Sequence, residues 1–147
     1  KQGMKVEIRL SEEAAQPYAV IYTNRITEQI RRAADLLGSG ENVVTAMDGE
    51  RITVLHPQEI YMIRIEREQA VVYTKEKQYL SGRRLYSFEE QLGGGFMRIS
   101  KSTLINLSFI HSVEPSFNGM MHLRLKNGCK DYISRKYLPV FKKYLGI

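Results

Sequence analysis

One cysteine, Cys129, stands in 147 residues. A lone thiol closes no internal disulfide and offers no thiolate cluster to a metal, so a reducing compartment is expected, with Cys129 as a small strand residue. Histidine is nearly as scarce. His56, His111 and His122 lie far apart and show no ligand spacing. No nucleophile, base and metal-ligand set stands at a recognisable spacing, so catalysis is not expected, nor a cofactor, a metal or a small-molecule substrate. The acidic pairs Glu12-Glu13 and Glu89-Glu90 read as solvated faces. Gly93-Gly94-Gly95 lacks the following lysine and Ser/Thr of a phosphate-binding loop, and reads as a connection. Long apolar runs are missing too: none reaches the length of a membrane span, and the residues from Lys1 to Leu10 alternate charged with apolar, unlike a signal peptide. The expectation is a cytoplasmic protein. Lys1, Gln2 and Gly3 fit no pattern ahead of Met4, the expected natural first residue.

Acidic residues are the last shortage, and it is local. Lys1 to Glu41 carries six Lys/Arg against six Asp/Glu, and Asn42 to Gly95 carries seven against eight. Phe96 to Ile147 carries nine against two. The excess positive charge therefore lies in the final third, interleaved with apolar residues. A folded basic face of this kind is the footprint expected for binding a phosphate backbone.

Among the residues that are present, Val6, Ile8 and Leu10 alternate with Lys5, Glu7 and Arg9 at the period of a half-buried strand, and Tyr18 to Tyr22 reads as a second strand. Ile26, Ile30, Ala33, Ala34 and Leu37 recur at helical spacing, with Asn24 as the expected cap and Gly38 as the stop. The polar segment Gly38-Ser39-Gly40-Glu41 is the expected boundary between a strand-strand-helix element at 4–41 and a domain at 42–147. Short strands follow: Val43 to Ala46, a hairpin signal at Asp48-Gly49, Ile52 to Leu55, Ile60 to Ile65 and Ala70 to Thr74. Leu85, Phe88 and Leu92 make a brief helical face. Strands are then expected at Phe96 to Ile99, Ser112 to Ser116, Met121 to Leu125 and Lys130 to Ile133, with a tight turn at Asn127-Gly128. Ser134 is placed to cap a terminal helix over Arg135 to Leu145, with Leu138, Phe141 and Leu145 on its inner face. The fold class is mainly β with short helices (α+β).

Two segments carry a resemblance. Phe96-Met97-Arg98-Ile99-Ser100-Lys101-Ser102-Thr103-Leu104-Ile105-Asn106-Leu107, and Asn127-Gly128 through Tyr132-Ile133-Ser134-Arg135-Lys136-Tyr137, resemble the LytTR family of bacterial response-regulator DNA-binding domains, in outline from about Asn42 to Ile147. The resemblance implies an elongated antiparallel β fold that inserts loops into successive major grooves of double-stranded DNA. It puts Lys101 at the tip of one reading loop, with Ser100 and Ser102 beside it, and Lys136 in a second groove, flanked by Arg135 and Tyr137. It leaves Ser134 to cap the helix or touch phosphate, and offers Arg67 and Gln69 as donors from a third loop, Glu66-Arg67-Glu68-Gln69. Arg98 reads equally as an ion pair or a phosphate contact, and Asn106 as a residue that bonds backbone to hold the loop. Many family members carry His or Asn around Ser100 and Lys101; an ammonium reads bases less exactly than an amide.

The family's usual receiver domain is not expected within these residues. Residues 4–41 are expected either to mediate a homodimer on repeated sites or contact a regulatory membrane protein, as the resemblance implies for small stand-alone members, or to pack their apolar face on the β core. The alternative function is a protein-interaction module with weak or no DNA affinity, because Lys101 and the acidic Glu66 and Glu68 weaken groove contacts. RNA binding ranks third, for want of aromatic-rich strand signatures.

Overall fold

The computed structural model describes residues 3–15, 17–39 and 42–147. The chain divides into two compact units, Lys1–Glu41 and Asn42–Ile147.

In the first unit one helix forms, α1 (Glu28–Ser39). The strands expected at Met4–Leu10 and Tyr18–Tyr22 are absent among the described residues, which run as irregular chain there. Alternation makes a strand only where a partner ladder and a surface to bury against exist, and Val6, Ile8 and Leu10 are 77%, 89% and 99% exposed. The cap also moves. Thr27, not Asn24, accepts at the start of α1, its Oγ1 taking the Ile30 N–H at 3.3 Å, as an N-cap hydroxyl does for the third residue of a helix. Gly38 lies within α1 and does not stop it; Gly40 and Glu41 of the expected boundary lie outside the described residues.

The second unit carries ten strands, all pairing antiparallel: β1 (Val44–Asp48), β2 (Arg51–Leu55), β3 (Met62–Glu66), β4 (Gln69–Tyr73), β5 (Gln78–Ser81), β6 (Phe96–Ser100), β7 (Thr103–Asn106), β8 (Ile110–Pro115), β9 (Met121–Leu125) and β10 (Lys130–Ile133). Seven form one sheet in the order β2-β1-β5-β4-β3-β7-β6, and three form a second in the order β10-β9-β8. Helix α2 (Leu85–Leu92) covers one face of the large sheet with Leu85, Phe88 and Leu92, against Val44, Ala46, Leu55, Ile63, Val72 and Leu104. The other face meets the small sheet and α3 (Leu138–Leu145) through Met62, Ile99, Ile105, Leu123, Leu125, Ile133 and Phe141. Adjacent strand residues point to opposite faces, so the pairs Met62-Ile63 and Leu104-Ile105, each at most 1% exposed, show that β3 and β7 are buried on both sides.

Gly93 ends α2 with φ +70°, a backbone conformation open to glycine, and its N–H donates to the Glu89 carbonyl. The terminal helix starts later than the cap reading expects. Pro139 explains why: it lacks an N–H and clashes with the carbonyl four residues back, so it is tolerated only in a first turn. A helix begun at Arg135 would place it in the interior. Instead Arg135, Lys136 and Tyr137 form a turn, in which the Ser134 carbonyl accepts from the Tyr137 and Leu138 N–H groups, both at 3.0 Å. The N-cap is therefore Tyr137, and no side chain, the Ser134 hydroxyl included, caps the helix. Strand β5 has no counterpart in the sequence reading, because its polarity is inverted: Ser81 is buried while Leu80 is 42% exposed.

Candidate nucleic-acid interface

Strand register decides which loops meet. β3 pairs β7 with Arg64 opposite Thr103, and β3 pairs β4 with Glu66 opposite Gln69. The β3–β4 turn, Arg67-Glu68, and the β6–β7 turn, Lys101-Ser102, therefore lie at the same end of the large sheet, and the Ile65 N–H donates to the Ser102 carbonyl at 2.8 Å. The segment after β10 reaches the same place, since the Ser134 N–H donates to the Ile99 carbonyl at 2.9 Å. Three segments distant in sequence are thus tied to one end by main-chain hydrogen bonds.

Within the Lys101 turn the side chains divide by role. Lys101 is exposed at the tip. Ser100 turns its hydroxyl inward and accepts the Ser102 N–H at 3.3 Å, with the two hydroxyls 3.5 Å apart. Arg98 lies beneath the turn, its side chain 17% exposed. It donates through Nη1 to the Lys101 carbonyl at 2.9 Å and through Nη2 to Glu89 at 3.0 Å. Arg98 and Glu89 thus form an ion pair. Asn106, 5% exposed, donates to the Ile60 carbonyl at 2.9 Å and accepts the Ser108 N–H at 3.0 Å, so it holds backbone.

The Arg67-Glu68 turn is built in an unusual way. Both residues have positive φ, +53° and +66°, the pattern of a two-residue type I′ turn, which favours Asn-Gly. A side chain in this region costs roughly 1–2 kcal/mol. Glu68→Gly is therefore expected to raise stability by about 1 kcal/mol, read as a higher urea midpoint at unchanged slope. An unchanged or lower midpoint would refute the strain. Gln69 follows at the start of β4, exposed.

In the third segment Arg135 and Lys136 are exposed and Tyr137 is half-buried. The Lys136 ammonium stands 5.4 Å from the centre of the Tyr137 ring. Arg135 lays its stem over Gly119, where a Cβ would stand 3.2 Å from Arg135 Cδ.

Beneath these segments lies a polar network that no spacing in the sequence marks. Arg64 donates from Nε to Glu66 at 2.9 Å, from Nη2 to the Tyr73 hydroxyl at 3.2 Å, and from Nη1 to the Lys130 carbonyl at 3.2 Å and Asp131 at 3.5 Å. Tyr73 donates its hydroxyl to Glu66, and Thr103 donates to Asp131 at 2.6 Å. One guanidinium thus joins the strand leading to the Arg67 turn to the strand preceding Ser134, and Thr103 ties in the Lys101 turn. Burial opposes the Arg64 charge, but hydrogen bonds to Glu66 and Tyr73 outweigh it and hold its pKa above the ordinary value. Burial likewise pushes the Glu66 carboxyl up, yet Tyr73 and Arg64 overcome this and hold it below the usual carboxylate range. A depressed carboxyl contributes stability that is present above its unfolded pKa and lost as pH falls through its lower folded value. The stability advantage of the protein over Glu66→Gln is accordingly expected to shrink as pH falls below about 4.3. Denaturant melts at neutral and acid pH measure it, and an advantage that grows on acidification would contradict the network.

Among the described residues no group of His, Cys, Asp and Glu is arranged to hold a metal, and no helix is long and apolar enough to cross a membrane. Burial raises the pKa of the Cys129 thiol, which disfavours the reactive thiolate.

The family model of the LytTr DNA-binding domain matches residues 50–146. The chain belongs to the LytTR family. The LytTR fold is seen again in the LytTr DNA-binding domain of a putative methyl-accepting/DNA response regulator from Bacillus cereus, with a TM-score of 0.68 and 23% identity, covering 74% of this chain and 100% of that one. Sensory transduction protein LytT of Enterococcus faecalis is 28% identical over 84% of this chain, which spans 56% of that protein's length. An HTH-type transcriptional regulator of Staphylococcus aureus is 26% identical over 98% of this chain and 99% of its own length. Despite that relative's name, α2 and α3 are separated by five strands here, so they form no helix-turn-helix.

Proposed function

We propose that this LytTR protein is a transcriptional regulator that binds double-stranded DNA sequence-specifically and reads successive major grooves from one end of residues 42–147. The observation that carries the reading is the convergence of the Arg67, Lys101 and Lys136 segments, fixed by the β3–β7 register and by the bonds from Ser102 and Ser134. Exposed Lys101 and Lys136 are assigned to base edges in two grooves, and Arg67 and Gln69 to a third contact. Arg135, Tyr137 and the Ser134 hydroxyl are assigned to flanking phosphates. Ser100, Ser102 and Arg98 set the shape of the Lys101 turn, and the two serine hydroxyls are assigned to phosphate or base contacts from within it.

The competing reading, a protein-interaction module, leans on the acidic Glu66 and Glu68. Glu66 is engaged by Arg64 and Tyr73, which leaves Glu68 as the one exposed acid of that turn. Residues 4–41 are assigned to protein contact, with a second copy on repeated sites or a regulatory membrane protein as the partner classes. Sedimentation of the full chain and of residues 42–147 tests the first: the same monomer in both removes dimerisation through that element.

Selection of bound duplexes from a random DNA pool tests the function itself. Recovery of a sequence with short elements about one helical turn apart, roughly 10 base pairs, is the expected result. No enrichment over several rounds would move the assignment to the protein-interaction reading.

A further inference from the structure

The sequence places the excess of positive charge after Phe96, but the β4–β5 register brings one earlier cation to the same end of the sheet. Ala70 pairs with Ser81, and Tyr73 with Gln78, so the end of β5 stands level with the start of β4 and next to the Arg67-Glu68 turn. The chain then runs Gly82-Arg83-Arg84 into α2. The two arginines are used differently. Arg83 is committed to the fold: it donates to Gln91 and to the Ser87 hydroxyl, both at 2.8 Å, and lies over the Phe88 ring at 4.4 Å. Arg84 is exposed, and among the described residues its side chain makes no hydrogen bond, ion pair or aromatic contact. It occupies the N-cap of α2, where no side chain caps the helix, so Arg84 stands beside the first-turn amides of Leu85 and Tyr86.

Helix α2 packs on one face of the large sheet and α3 on the other. The Lys136 turn therefore flanks the row of β-turns on one side, and Arg84 flanks it on the opposite side. Cations on both sides of a row of groove-reading turns are what a duplex with phosphates on both groove walls would meet. The geometry points to Arg84 as a further DNA contact, a phosphate clamp supported by the start of α2, on the α2 side of the reading turns. It rests on the DNA-binding reading above and adds a contact outside the basic final third.

The test compares Arg84→Ala, Arg84→Lys and Arg51→Ala in the full chain. Arg51 is also exposed but lies at the opposite end of the sheet, beside the β1–β2 turn, so Arg51→Ala matches the loss of charge without the position. Anisotropy titrations at several salt concentrations are run on the selected duplex and on a scrambled one. A phosphate contact predicts that Arg84→Ala weakens both duplexes by a similar factor and lowers the slope of log affinity against log salt by about 0.9. Arg84→Lys should keep the slope, and Arg51→Ala should leave both unchanged. A slope unaltered by Arg84→Ala overturns the assignment, as does an equal fall for Arg51→Ala. If the original protein binds neither duplex, the DNA-binding reading itself has failed. Thermal melts of each variant separate a loss of contact from a loss of fold.

Discussion

Replacing Lys136 by alanine is expected to weaken binding to a cognate duplex by about 1–3 kcal/mol, roughly 5- to 150-fold, the range of one good base contact. The expectation comes from how the turn is built. Two bonds to the Ser134 carbonyl hold its backbone, and Pro139 fixes where the helix behind it begins. The Lys136 side chain is exposed, with its ammonium 5.4 Å from the centre of the Tyr137 ring. Its removal disturbs no packing, so the melting temperature should change little. The loss should be larger on the cognate duplex than on a scrambled one, since base contacts specify and phosphate contacts do not. Unchanged cognate affinity in a folded variant would mean that the second reading segment lies elsewhere.

The second large effect belongs to Arg64, which approaches no groove. Arg64→Met would leave Glu66 and Asp131 without their shared cation and the Lys130 carbonyl without its donor. Breaking a fully buried pair from one side costs about 3–5 kcal/mol, because the remaining charge is left unpaired. Arg64 retains 28% side-chain exposure, so solvent screening brings the expected loss to about 2–3 kcal/mol, a drop in melting temperature on the order of 10 °C. Binding should also suffer, because this residue fixes the strands behind two of the reading segments. A double-mutant cycle with Asp131→Asn checks the cause: the double variant should be less destabilised than the sum of the single ones. Additive losses would show that Arg64 and Asp131 act independently.

Much of the second unit is legible in the sequence because its signals are local. The alternation of Met121 to Leu125 and Lys130 to Ile133 fixes those two strands to the residue, and Leu85, Phe88 and Leu92 mark α2 with Gly93 as its stop. The Lys101 turn is framed by apolar Ile99 and Leu104. The failures share a cause, since each depends on something outside its own segment. Val6, Ile8 and Leu10 alternate as a strand should, but among the described residues no strand pairs with them. Polarity in β5 is reversed, because Ser81 faces inward while Leu80 faces out. The spacing of Leu138, Phe141 and Leu145 marks the terminal helix, but its expected start at Arg135 rests on Ser134 as a cap, and the constraint of Pro139 on backbone geometry outranks it. Arg64 and Asp131 are 67 residues apart, and no spacing rule relates them. An arginine inside the apolar run Met62 to Ile65, and a threonine opening the buried strand β7, are the only local signs that a polar network lies there.

In the proposed function, one basic end of residues 42–147 neutralises the phosphates of a duplex while its turns read the bases. Titration of the selected duplex at low and near-physiological salt tests it most directly. Arg67, Lys101, Arg135 and Lys136 at the duplex surface predict an affinity that falls by about a hundredfold between roughly 50 and 200 mM salt. An affinity that barely changes over that range would contradict the account, because an interface insensitive to salt is not one built on Lys101, Lys136 and Arg135.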